Sequence, residues 1–353
     1  MRSDPAARAA LLEELTRSDR LVLLGDLMEL RHAPVAAALR AAEPVLAQIG
    51  SALGTGAEVV LVPGNHDHHL LEGWYERYRG AGDWPPALEP ETPVQWREGE
   101  PLAAISLALA PARLRVSYPG TWLREDIFAT HGHFVDRHTT VPMLERLAAG
   151  VMARVIGEPA AGPGRIEDYE AVLAPVYAWI HAVAQAAGPK LGRGASGGSA
   201  GAWHMLTGVG PGRGGLRAAL RRRSLIVAFP VLIAALNRAG VGPLRRQLSA
   251  AELRRAPLQA LGEVLGRLGI SAGYVIFGHT HRAGPLAADD AAQWRGLQGQ
   301  RLMNTGSWLH EPALMGSDPR RSPYRGGWAV RIADAGAPQL VNLCEHPAAP
   351  AQA

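Results

Sequence analysis

The sequence predicts an α/β fold built on a parallel sheet, and two observations carry that expectation. Short apolar runs alternate with alanine- and leucine-rich helical stretches in the first part of the 353-residue chain, the pattern of strand–helix–strand units. Four apolar runs end in loops rich in Asp, Asn and His. These loops are Gly25-Asp26-Leu27-Met28-Glu29, Gly64-Asn65-His66-Asp67, His131-Gly132-His133 and Gly278-His279-Thr280-His281. Strand ends are where ligand sites gather in open α/β sheets.

Taken in order, Asp4-Pro5 reads as a helix cap with proline at the first helical position. Leu11, Leu12 and Leu15 mark the apolar face of that helix. Strand 21–24 follows, then a helix over 35–49 and strand 58–62. Residues 73–99, rich in Pro, Trp and Gly, read as loop, and 114–118 and 127–130 as short strands. Residues 141–187 are expected to be helical, broken at 157–164. The glycine-rich stretch 186–215 reads as a loop, after which helices resume to about 268, the last opened by a Ser249–Glu252 capping box. Strand 274–277 and three strands at 301–304, 328–332 and 339–343 complete the chain. Three segments are therefore expected: a first core half at 1–140, a helical insertion or cap at 141–268, and a second core half at 269–347.

Composition bounds the function. The chain is 47% hydrophobic, enough to bury a large core, and only 19% charged. A formal charge of +4 suits an anionic substrate without demanding nucleic acid. The single cysteine, Cys344, excludes an intramolecular disulfide. It suits a reducing compartment, and with no apolar segment at Met1-Arg2-Ser3-Asp4-Pro5 a cytoplasmic location is expected. The longest apolar run, 225–236, contains Pro230 and falls short of the ~20 residues of a membrane span. A buried helix is the expectation there; a surface-lying one after Arg221-Arg222-Arg223 is the alternative.

The four loops, in this order, resemble the calcineurin-like metallophosphoesterase superfamily. Gly64-Asn65-His66-Asp67 and Gly278-His279-Thr280-His281 carry most of the likeness, which spans residues 21–69, 126–146 and 272–309. The resemblance implies a four-layer α/β/β/α sandwich with a helical insertion. It also implies two divalent metal ions (Mn, Fe or Zn), and hydrolysis of a phosphate mono- or diester by a metal-bound hydroxide. By position in the motifs, Asp26 would bridge the ions. Asn65, His131 and His279 would bind one of them and His281 the other. His66 would be the catalytic acid and Asp67 would orient it.

Other residues keep two readings. Asp26 alone would read as a helix cap, and His133 competes with His131 as a ligand. Glu29 matches its motif but reads as a loop hydrogen-bonder. His68 reads as a rim or substrate contact. Arg31 and His32 form either a phosphate-binding pair or a solvated loop pair. Arg213, Arg217 and Arg221–Arg223 read as a solvated helix face or as a nucleic-acid patch lacking interleaved aromatics.

The family's opening Asp-x-His has no counterpart. Asp4 is followed by Pro5-Ala6, and no histidine precedes His32. The expectation is a truncated sequence, the alternative a one-metal relative. Two further functions stay open: a pseudo-phosphatase that binds a phosphorylated ligand or protein partner, and a nuclease or nucleotide hydrolase of the same superfamily.

Overall fold

The structure, a computed structural model, describes residues 5–30, 34–82, 86–187, 231–245, 249–309, 312–315 and 318–345. One mixed sheet organises it. Its strands are β1 (Arg20–Leu24), β2 (Glu58–Val62), β3 (Glu91–Pro93), β4 (Arg113–Arg124), β5 (Ile127–Thr130), β6 (Tyr274–Phe277) and β7 (Arg301–Asn304). They lie in the order β1-β2-β4-β5-β6-β7, with β3 paired to β4 off that path. β1, β2 and β4 are parallel, as are β5, β6 and β7, while β4 and β5 pair antiparallel. Two parallel halves thus meet at one hairpin.

β4 makes that junction possible. It is longer than the strand expected at 114–118, because its first half pairs with β2 and its second half, from Gly120, with β5. A side chain at Gly120 would stand 2.3 Å from the Phe128 ring, so only glycine lets the two strands close there. The register then shifts between Trp122 and Arg124, an irregularity that bends a strand and increases its twist. A separate antiparallel hairpin joins β8 (Trp328–Arg331) to β9 (Gln339–Asn342).

Burial explains the elements. Val59, Val60, Leu61 and Val62 are all wholly buried, as a strand covered on both faces requires. One core packs β2 and β4 against α1 (Pro5–Leu15), α2 (Val35–Leu53) and α4 (Pro101–Ala108) through Leu11, Leu15, Leu46, Ile49 and Ile105. Residues 73–99, expected as loop, begin instead with helix α3 (Glu72–Ala81). Its Trp74 and Tyr75 are buried, and the helix ends at Gly82, which takes a left-handed φ of 81°. Apolar spacing overrode the loop-like composition.

Four further helices are α5 (Val135–His138), α6 (Leu144–Val155), α7 (Ile166–Ala187) and α8 (Ala250–Arg267). Ser249 caps α8 by accepting the Glu252 N–H at 3.1 Å. α7 and α8 share the sheet's cores. Tyr169, Val172, Leu173 and Tyr177 of α7 join the first core. Leu258, Leu261 and Leu265 of α8 cover Phe128, Val275 and Phe277. Each such fully buried side chain contributes roughly 1.5–3 kcal/mol. On the other face of β5–β7, Ile127, Ile276 and Met303 meet Leu24, Val330 and Leu340. The glycine-rich loop and the arginines at 213–223 lie outside the described residues. Among the described residues, no helix is long and apolar enough to cross a membrane.

Candidate functional site

The C-terminal ends of β1, β2, β5 and β6 come together. The ring of His131, just past β5, donates from Nδ1 to the Leu24 carbonyl at the end of β1, 2.7 Å away. The Gly278 N–H, at the end of β6, donates to the His131 carbonyl at 3.0 Å. Two glycines permit the approach: a Cβ on Gly25 would stand 2.3 Å from His131 Nδ1, and one on Gly64 2.5 Å from Asp26 Oδ1.

Four of the expected ligands converge. Asn65 Oδ1 lies 3.1 Å from His131 Nε2 and 3.2 Å from His279 Nδ1. Asp26 Oδ1 lies 3.5 Å from His131 Nε2, while its Oδ2 faces His66 Nε2 at 3.8 Å. The fifth, His281, makes no hydrogen bond among the described residues. Burial pushes its ring down to about 4, partly offset by the charge of Asp26. Three of these residues are the non-glycine positions with left-handed backbone among those described: Asp26 at φ 53°, His279 at φ 63° and His281 at φ 60°. Such conformations cost of order 1–3 kcal/mol each and cluster at functional sites.

Proton placement shows what the cluster is suited to. Burial depresses the basicity of His131, so its ring is neutral near pH 7. Its one proton sits on Nδ1, bound to Leu24, and Nε2 carries a lone pair. That lone pair faces Asn65 Oδ1 and Asp26 Oδ1, which also only accept. Three acceptors with no hydrogen between them repel one another in a buried site, and a cation removes that repulsion. The donors therefore fit a divalent metal ion. Among the described residues, there is no group of three or more His, Cys, Asp or Glu side chains that could by itself hold a metal ion, so the amide oxygen of Asn65 is needed in the set.

The acid Asp26 is held below the ordinary carboxylate range. Burial opposes its charge, but the imidazoles of His131, His66 and His279 and the His66 N–H, which donates to it at 3.0 Å, outweigh burial. His279 is shifted the other way. Burial lowers it, yet its Nε2 meets Asp136 Oδ1 at 2.9 Å and that carboxylate raises it overall.

Asp67 departs from its expected role. No hydrogen bond joins it to the His66 ring. Its wholly buried carboxylate accepts the backbone N–H groups of Asp26 (3.3 Å), Leu27 (2.7 Å) and Gly64 (2.7 Å). It therefore clamps the β1 and β2 loops together. Burial, then the charge of Asp26, raise it to about 6. The carboxylate that orients His66 is Glu29, with Oε2 2.6 Å from Nδ1. That leaves His66 Nε2 turned toward Asp26.

His68 also departs from expectation. It is not a rim contact; it is buried and bound through Nε2 to Glu170 of α7 at 2.9 Å. Tyr75 and Tyr118 donate to the same carboxylate. His133 Nε2 lies 3.0 Å from the Tyr118 hydroxyl, so His133 joins this cluster while His131 stands beside Asn65 and Asp26. Arg31 and His32 lie outside the described residues.

Sequence reasoning missed Asp136 and undervalued Glu29. Asp136 follows His131 by five residues on α5, and only the fold shows that it meets His279. Asn304, at the end of β7, ties the Gly278–His281 loop down through Gly278 O (2.8 Å) and Thr280 Oγ1 (2.9 Å). Compared with protein-family models, curated proteins and solved structures, the chain matches none of them.

Proposed function

We infer that this protein is a metal-dependent phosphoesterase related to the calcineurin-like superfamily. The carrying observation is the convergence of Asp26, Asn65, His131 and His279, in which the acceptor atoms of Asp26, Asn65 and His131 face one another and call for a cation. Asp26, Asn65, His131 and His279 would hold one divalent ion, and Asp26 with His281 would contribute to a second. The four-layer sandwich of that family is the architecture we propose. The helical layer of α8 on one face of β5–β7 and the β8–β9 residues against the other support it.

When bound, divalent ions draw charge from phosphoryl oxygens and make a water acidic enough to attack at neutral pH. The chain's own residues do the rest. The two Asp26 oxygens face different sides of the site, one toward His131 and one toward His66. That arrangement suits a carboxylate shared between ions. His66, held at Nδ1 by Glu29, presents Nε2 to the site and would pass a proton there to the leaving oxygen. Asp67 fixes the loop geometry that makes this alignment reproducible.

The test uses the purified chain with Mn(II), on p-nitrophenyl phosphate and bis-p-nitrophenyl phosphate. Hydrolysis of one of them is expected, abolished by EDTA and lowered about 10²–10⁴-fold by His66→Ala. No hydrolysis of either ester, or an unaffected His66→Ala variant, overturns the reading.

A further inference from the structure

Asp136 is a buried carboxylate with half its acceptor capacity unused. It is 4% exposed, and its Oδ2 has no hydrogen-bond partner among the described residues. Its Oδ1 meets His279 Nε2 at 2.9 Å. A buried, half-satisfied carboxylate costs stability, so packing alone gives no reason for an acid at this position.

The geometry at His279 supplies a reason. A carboxylate only accepts, so the His279 proton on that side must sit on Nε2. The opposite nitrogen, Nδ1, points at Asn65 Oδ1, 3.2 Å away, inside the ligand cluster. His131 is held by the same logic with the nitrogens exchanged: Nδ1–H goes to the Leu24 carbonyl and Nε2 faces the cluster. The two imidazoles differ in what holds them, a neutral carbonyl for His131 and a carboxylate for His279. A carboxylate behind an imidazole fixes its tautomer and makes the facing nitrogen a stronger donor. We propose that Asp136 is a positioning residue, which locks His279 as the Nε2–H tautomer and presents its Nδ1 lone pair to a divalent metal ion beside Asn65. This rests on the metal-site reading above and adds a residue that none of the four motifs contains.

Two readouts test it on the whole chain. The first needs no metal: long-range ¹H–¹⁵N spectra of the imidazoles in EDTA at about pH 9, with His279→Gln to assign the ring. Wild type is expected to show His279 protonated on Nε2, Asp136→Ala a mixture of tautomers, and Asp136→Asn, whose amide oxygen can still accept, mostly the wild-type form. The second is Mn(II) affinity by competition with a chelating dye. Asp136→Ala is expected to bind about 10–100-fold more weakly, with Asp136→Asn in between. Denaturation midpoints in EDTA, unlike Mn(II) affinity, should stay near wild type. If Asp136→Ala does not fold, the nearly isosteric Asp136→Asn decides, through a detectable tautomer shift or loss of affinity. A His279 tautomer indifferent to position 136, or Mn(II) affinity within twofold of wild type in the folded variants, overturns the proposal. If wild type itself binds no Mn(II), the phosphoesterase reading falls, and the spectra still decide the role of Asp136.

Discussion

Replacing Glu170 by glutamine tests how α7 is held to the sheet. Glu170 is 3% exposed and accepts from His68, Tyr75 and Tyr118, residues 52 to 102 positions away in sequence. Burial alone would raise its pKa, but His68 and the tyrosine donors hold it below the ordinary carboxylate value. A hydrogen bond to a charged group contributes about 1.5–3 kcal/mol, against about 1 for a neutral one. Glutamine can keep the bonds to His68 and Tyr75 on its oxygen and turn its amide toward Tyr118, which lies 3.0 Å from His133 Nε2 and can reorient. The contacts then survive without the charge, and about 2 kcal/mol is lost. Alanine would strand the buried donors of His68 and Tyr75, at about 2–6 kcal/mol. Guanidinium denaturation at about pH 7 in EDTA, followed by fluorescence, measures both. The pH sign follows from the depressed pKa. The contribution is complete above the unfolded value of 4.5 and is lost as pH falls through the lower folded value, so the gap between wild type and Glu170→Gln should close in acid. A Glu170→Gln variant within about 0.5 kcal/mol of wild type at pH 7 refutes this account of the cluster.

Three further outcomes are expected. Gly64→Ala, whose Cβ would stand 2.5 Å from Asp26 Oδ1 and 2.8 Å from His131 Nε2, should weaken Mn(II) binding at least about tenfold by dye competition while leaving the circular dichroism spectrum intact. Glu29→Gln keeps an acceptor for His66 but removes the charge, so aryl-phosphate turnover should fall about tenfold or more with Mn(II) affinity unchanged. His138 is pushed down to about 3 by burial and by the nearby Arg267 and Arg137. The folded state then resists the proton that the unfolded chain takes up below about 6.5, so stability falls as pH drops from there toward 3. His138→Gln should flatten that slope by up to about 1.4 kcal/mol per pH unit in denaturation titrations.

Much of the fold and the core of the site were legible because both depend on local signals. Apolar runs at 21–24, 58–62, 127–130 and 274–277 became strands, and the polar residues after them met at the strand ends. What stayed hidden depends on distant partners. Nothing near His66 distinguishes Glu29 from Asp67 as its carboxylate; the loop geometry does, by committing Asp67 to three backbone N–H groups. His68 looked like a rim residue because Glu170 lies 102 positions on. The helix at 72–81 was obscured by the tryptophans and glycines around it, although Trp74 and Tyr75 supply its buried side.

The left-handed backbone at Asp26, His279 and His281 has a consequence for anyone engineering this protein for heat tolerance. Glycine adopts that conformation freely, and at His281, whose ring has no hydrogen-bond partner among the described residues, selection for a higher melting temperature alone would favour it. That substitution deletes a proposed metal donor. A screen scored on stability would therefore erode the chemistry first and leave a sturdier, inert fold. A screen run with a divalent ion present would shield the same position, because the bound ion would stabilise only those variants that still hold it.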